Sequence, residues 1–171
     1  MRISKNKTLY SPTDLNNFVS CKYHIKNDLL ADEKKFKKRE ISADLKLRIK
    51  YGIEHETKHF KLFKNKNNPS VTINDKLTDE KRFEATKQAL TKGYKLIYKA
   101  YFIEKNFRGE ADFLLRVNTK SDLGNYSYEV YDTKITKNLR PKHVLQITGY
   151  SYLLGKLQNL LPRHMYLIDG N

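Results

Sequence analysis

A single cysteine, Cys21, stands among the 171 residues. It excludes an internal disulfide and fits a reducing compartment. Tryptophan is absent. No apolar run approaches the roughly 18 residues of a membrane span, and residues 1–8 (MRISKNKT) hold no signal-peptide core. The expectation is a soluble, cytoplasmic chain. Acidic residues are outnumbered: Asp and Glu total 19 against 34 Lys and Arg, a formal net charge of +15. That surplus predicts attraction to a polyanion with salt-sensitive affinity, although a lysine- and asparagine-rich composition from an AT-rich coding sequence produces the same excess. The 12 Tyr and 8 Phe suffice for a core and for stacking platforms under unpaired bases. The length suits one domain, 1–171, that buries about two thirds of its unfolded surface.

The chemistry concentrates in a hairpin. Tyr128 to Lys134 (YEVYDTK) reads as a strand whose period-2 alternation puts Tyr128, Val130, Asp132 and Lys134 on one face. Upstream, Arg108 to Val117 (RGEADFLLRV) is a second strand, and Asn118, Ser121, Asp122, Gly124 and Asn125 mark the turn between them. Folding about Asp122 sets Asp112 opposite Asp132. Facing carboxylates repel unless a cation lies between them. A hard divalent ion, Mg2+ or Mn2+, takes such oxygens, polarises a phosphoryl group and acidifies bound water. Lys134 on the same face would hold that water and stabilise charge developing on phosphorus. The chemistry suggested is phosphodiester hydrolysis; D-x-K spacing alone also occurs in ordinary surface hairpins.

Around the hairpin, Ser11-Pro12-Thr13-Asp14 starts a helix expected to run to about Leu30, with Leu15, Phe18, Val19, Cys21 and Ile25 as its apolar side. Cys21 reads as a buried small hydrophobe. Residues 31–42 (ADEKKFKKREIS) form a charged connector, either a solvated loop or a lip that contacts phosphates. A second helix is expected from Ala43 to Lys64, with Leu45, Ile49, Gly52, Ile53, Phe60 and Phe63 at helical spacing. Glu56 falls within that stripe, where a bare carboxylate needs a partner. His55 and His59 have the spacing of a zinc pair, but no further His or Cys cluster completes one, so zinc is not expected. Val71 to Asn74 reads as a short edge strand, and Thr78 caps a third helix ending at Gly93. Tyr94 to Ile103 is a central strand, a last helix begins near Pro141 with Gln146 and Tyr150 on one face, and Arg163 to Ile168 is a closing strand.

In this order Gly109-Glu110-Ala111-Asp112, Asp132-Thr133-Lys134 and Gln146-Ile147-Thr148-Gly149-Tyr150 resemble the motif series of RecB-like nucleases in the PD-(D/E)XK superfamily. Ser11 to Leu15 with Cys21, and Gly52-Ile53-Glu54-His55-Glu56, resemble the same group, whose relatives include CRISPR-associated RecB-like exonucleases. The resemblance runs from Tyr10 to Gly170. It implies an α/β, restriction-endonuclease-like core: a mixed sheet of four or five strands, the hairpin at its centre, flanked by the Gly52 and Gln146 helices. It implies a metal site of Asp112, Asp132 and Glu56 or His55, the position Gly52 plus four favouring Glu56, with a backbone carbonyl at Thr133 as a further donor. Lys134, Gln146 and Tyr150 would be the catalytic and supporting residues. The cofactor would be Mg2+ or Mn2+; no iron-sulfur cluster is expected, because Cys21 lacks three companion thiolates. Single- or double-stranded DNA is the implied substrate, cut exonucleolytically with little sequence specificity, and a helicase or another repair or defence protein is the implied partner. A module that binds or docks without turnover is the alternative.

Overall fold

The computed structural model describes residues 2–4, 7–32, 35 and 40–170. Short strands β1 (Arg2–Ser4) and β2 (Lys7–Leu9) form an antiparallel pair of their own, which the sequence pattern did not suggest. Helix α1 (Pro12–Ser20) starts as expected. The Asp14 backbone N–H donates to the Ser11 side chain, and the Ser11 backbone N–H donates to the Asp14 carboxylate. It does not run to Leu30. Cys21 adopts an extended conformation (φ −161°, ψ 111°) and closes α1, and α2 (Lys22–Asp32) begins afresh. Helical spacing therefore does not carry across residue 21. Cys21 is exposed rather than buried, and Phe18 and Val19 are exposed with it. Of the charged connector, residues 33–34 and 36–39 lie outside the described residues, so the phosphate-contacting lip is not described.

Helix α3 (Ala43–Lys66) is capped by Ser42, whose side chain accepts from the Leu45 N–H. Only its second half packs on the sheet. Phe60 stacks on Tyr98 at 4.2 Å, and Phe63 meets Phe113 and Tyr131 edge-on. Leu45, Ile49 and Ile53, expected on the buried stripe, are exposed, and among the described residues no layer covers them as the aromatic side chains cover Phe60 and Phe63.

Five strands form a mixed sheet in the order β3-β4-β5-β6-β7, flanked by helices. The edge strand β3 (Ser70–Thr72) runs parallel to β4 (Leu96–Glu104). Between them α4 (Asp79–Thr91) is capped by Thr78 and ends before Gly93, whose φ of +70° suits a residue without a Cβ. The two-residue turn Lys105-Asn106 folds β4 onto β5 (Phe107–Val117). The predicted turn then folds β5 onto β6 (Ser127–Thr133), and α5 (Pro141–Gln158) returns the chain to β7 (Met165–Ile168), parallel to β6. The hairpin β5-β6 thus lies inside the sheet, as its sequence pattern suggested. Ala100, Phe102, Ala111, Val130, Ile147, Leu153 and Leu154 are nearly fully buried and lock α5 to the strands. Each large aliphatic among them contributes about 1.5–3 kcal/mol. Among the described residues no helix is long and apolar enough to cross a membrane.

Candidate active site

The ladder between β5 and β6 ends at the pair Phe113↔Tyr131. One step further along each strand stand Asp112 and Asp132. Pairing stops there because the Thr133 N–H donates to Asp112 Oδ2 (2.8 Å) in place of a β5 carbonyl, and the Thr133 hydroxyl donates to the same oxygen (2.7 Å). The Thr133 side chain and N–H thereby fix Asp112. Lys134 follows, its N–H donating to the Ile168 carbonyl at 2.7 Å and its ammonium paired with Asp132 Oδ2.

From the helix side, Glu56 is 92% buried and enters the same space, its exposure being 8%. An open cavity of about 340 Å³ is lined by Glu56, Glu110, Asp112, Asp132, Thr133, Lys134, Gln146 and Tyr150, with Ile49, Gly52 and Ile53 of α3 as its apolar wall. His55 does not line it. Its ring packs edge-on against His59 at 4.6 Å, so of the two helix residues it is Glu56 that joins the aspartates. Gln146 donates to the Tyr150 hydroxyl (2.8 Å), which places the two α5 residues together at the back of the cavity. Gly109 makes room for that tyrosine: a Cβ there would stand 2.8 Å from Tyr150 Cδ1.

Two residues of this site were not singled out from the sequence. Lys99 extends its ammonium from β4 to 2.6 Å from Glu56 Oε1, 3.5 Å from Glu110 Oε1 and 3.9 Å from Asp112 Oδ1. Its backbone lies at φ +62°, within a strand, where a side chain is strained by about 1–3 kcal/mol. Arg82 of α4, buried and lying over the Tyr101 ring at 4.3 Å, holds the other Glu110 oxygen at 2.6 Å. The available signal was a lysine inside a strand with both faces covered.

Crowded acids and burial shape the electrostatics. Burial, then the Asp112 charge, pushes Asp132 up to about 7 against the partial relief from Lys134. Burial and the Asp112 charge likewise raise Glu56 above the usual carboxylate range, with Lys99 opposing. Burial favours the neutral amine of Lys99, but Glu56, Asp112 and Glu110 outweigh it and its pKa rises. Burial and Asp132 keep the Tyr150 phenol protonated.

The donor chemistry suits a hard divalent cation: carboxylates from α3, β5 and β6 converge, and the buried Glu56 Oε1 has the Lys99 ammonium 2.6 Å away. Among the described residues no three His, Cys, Asp or Glu side chains form a ready-made cation cage. It is the Lys99 ammonium that stands among Glu56, Glu110 and Asp112. No protein-family model, curated protein or solved structure matches the chain.

Proposed function

We propose that this chain is a metal-dependent nuclease that hydrolyses DNA phosphodiester bonds, with the catalytic arrangement of the PD-(D/E)XK superfamily and a motif order resembling that of RecB-like enzymes. The observation that carries the reading is the fork at the end of the β5-β6 ladder, where Asp112, Asp132 and Lys134 share one open cavity with Glu56.

Glu56, Asp112 and Asp132 would hold Mg2+ or Mn2+, which supplies Lewis acidity and lowers the pKa of bound water. Thr133 orients Asp112 through its N–H and hydroxyl, so its role is to position a ligand through those two donors. Lys134, drawn to the cavity by Asp132, orients the attacking water and offers positive charge to the phosphoryl oxygens. Tyr150, kept protonated, and Gln146 brace the α5 side. Lys137, Arg140 and Lys142 are exposed just before and at the start of α5, and guide the phosphate backbone towards Lys134 without reading sequence. Exonucleolytic action belongs to the reading by resemblance.

A second reading, a DNA-binding or docking module of a larger helicase-nuclease assembly without turnover, draws on Lys99, whose ammonium already neutralises part of the acid cluster. Cleavage of end-labelled single- and double-stranded DNA with Mg2+, Mn2+ or EDTA, comparing wild type with Lys134→Ala, separates the two. Metal-dependent cutting lost in the variant supports the nuclease. DNA that is bound and left intact with either metal supports the module.

A further inference from the structure

We propose that the Lys99 ammonium is a built-in competitor for the cation site: it neutralises Glu56, Glu110 and Asp112 in the metal-free protein and must withdraw for a divalent cation to bind. The inference rests on the metal-dependent reading above and adds a residue that controls loading.

Geometry supports a dedicated role. The β4-β5 ladder pairs Tyr98↔Phe113 and Ala100↔Ala111 but passes over Lys99, whose left-handed backbone (φ +62°) redirects the side chain between two paired residues. The ammonium then reaches carboxylates from α3 and from two positions of β5. A surface lysine would find one exposed acid. This one meets three acids, the nearest of them the buried Glu56.

Charge balance gives the functional consequence. Without Lys99, Glu56, Glu110, Asp112 and Asp132 face one another with, among the described residues, Lys134 paired to Asp132 and Arg82 paired to Glu110. With it, part of that negative charge is neutralised by the protein itself. The same positive charge repels an arriving cation and occupies the oxygens the cation needs. The lysine retains an exit, because its side chain is 24% exposed and its stem is flexible. Lys99 therefore sets the concentration at which the fork loads.

Two measurements must move in opposite directions. Mn2+ binding to the full chain, followed by calorimetry or by the electron paramagnetic resonance of free Mn2+, should be tighter by about tenfold or more in Lys99→Met than in wild type. Thermal melting in EDTA should fall in the same variant, and saturating Mn2+ should raise its Tm by more than it raises that of wild type. Lys99→Arg, which keeps the charge, should bind Mn2+ much as wild type does. Should Lys99→Met fail to fold in EDTA, the double variant Lys99→Met/Glu110→Gln removes one acid together with the lysine and should still bind more tightly than wild type. A purely structural lysine would lower the melting temperature and leave affinity unchanged or weaker. Equal or weaker Mn2+ binding in both Met-containing variants overturns the proposal, while wild-type binding that is lost in Asp112→Asn leaves the metal reading intact. If neither wild type nor any variant binds Mn2+, the metal reading fails and this inference fails with it.

Discussion

Thr133 donates twice to one oxygen of Asp112, from its backbone N–H at 2.8 Å and its hydroxyl at 2.7 Å. The pair ends the β5-β6 ladder and leaves Asp112 Oδ1 on the side of Lys99. A hydrogen bond to a carboxylate contributes about 1.5–3 kcal/mol. Thr133→Val keeps the shape and removes one donor. It should lower stability by about 1–3 kcal/mol and cut the rate of DNA cleavage by roughly tenfold through misplacement of Asp112. Urea denaturation and single-turnover cleavage check this; a variant indistinguishable from wild type in both would show that the hydroxyl does not position the acid.

Burial, then the Asp112 charge, pushes Asp132 up to about 7 from an ordinary 3.8. An acid with a raised folded pKa binds more protons folded than unfolded. Its contribution is therefore complete below about pH 4 and is lost as pH climbs towards 7. Glu56, raised for the same reasons, adds to the slope. Metal-free stability should fall over that window by up to about 1.4 kcal/mol per pH unit. Asp132→Asn should flatten the curve and leave the variant more stable than wild type at pH 8. Denaturation in EDTA at pH 5 and pH 8 gives both numbers, and identical slopes for the two proteins would contradict the assignment.

Gln158 tests the fold apart from the site. It is fully buried, accepts from the Tyr128 N–H (2.9 Å), and donates to the Tyr128 and Leu160 carbonyls (3.2 and 2.8 Å). The β6-β7 ladder begins only at Val130, so this amide completes the bonding of β6 that a longer β7 would have supplied. Gln158→Leu strands those backbone groups and should cost about 2–4 kcal/mol. Melting measures it, and faster exchange of the Tyr128 amide hydrogen should accompany it. A loss below about 0.5 kcal/mol would mean that water substitutes for the amide.

The hairpin was legible because its signals are local. Alternation fixes the faces, the turn residues fix the midpoint, and together they fix the register that brings Asp112 and Asp132 abreast. Caps at Ser11 and Thr78 were legible for the same reason. Burial of helix faces was not. Leu45, Ile49 and Ile53 have a core-like spacing, yet only the far half of α3 meets the sheet, and no local pattern states where a helix stops finding neighbours. Cys21 failed differently: a single extended residue that ends α1 invalidated spacing counted across it. Lys99 was read as one position of the central strand from Tyr94 to Ile103. Its left-handed backbone has no mark in the local sequence, and its three acids, brought from α3 and β5, meet only when those elements assemble.

The activity proposed for the fork of Asp112, Asp132 and Lys134 is hydrolysis of DNA with a divalent cation. The most direct measurement is the initial rate of cleavage of labelled single- and double-stranded DNA in Mn2+ for wild type beside Asp112→Asn, with circular dichroism confirming that both are folded. Wild type should cut, EDTA should abolish the cutting, and the variant should lose it by about a hundred- to a thousandfold, the order seen when a group that stabilises transition-state charge is removed. Equal cutting by the two proteins, or no cutting of either strand type by folded wild type at any Mn2+ concentration, would contradict it.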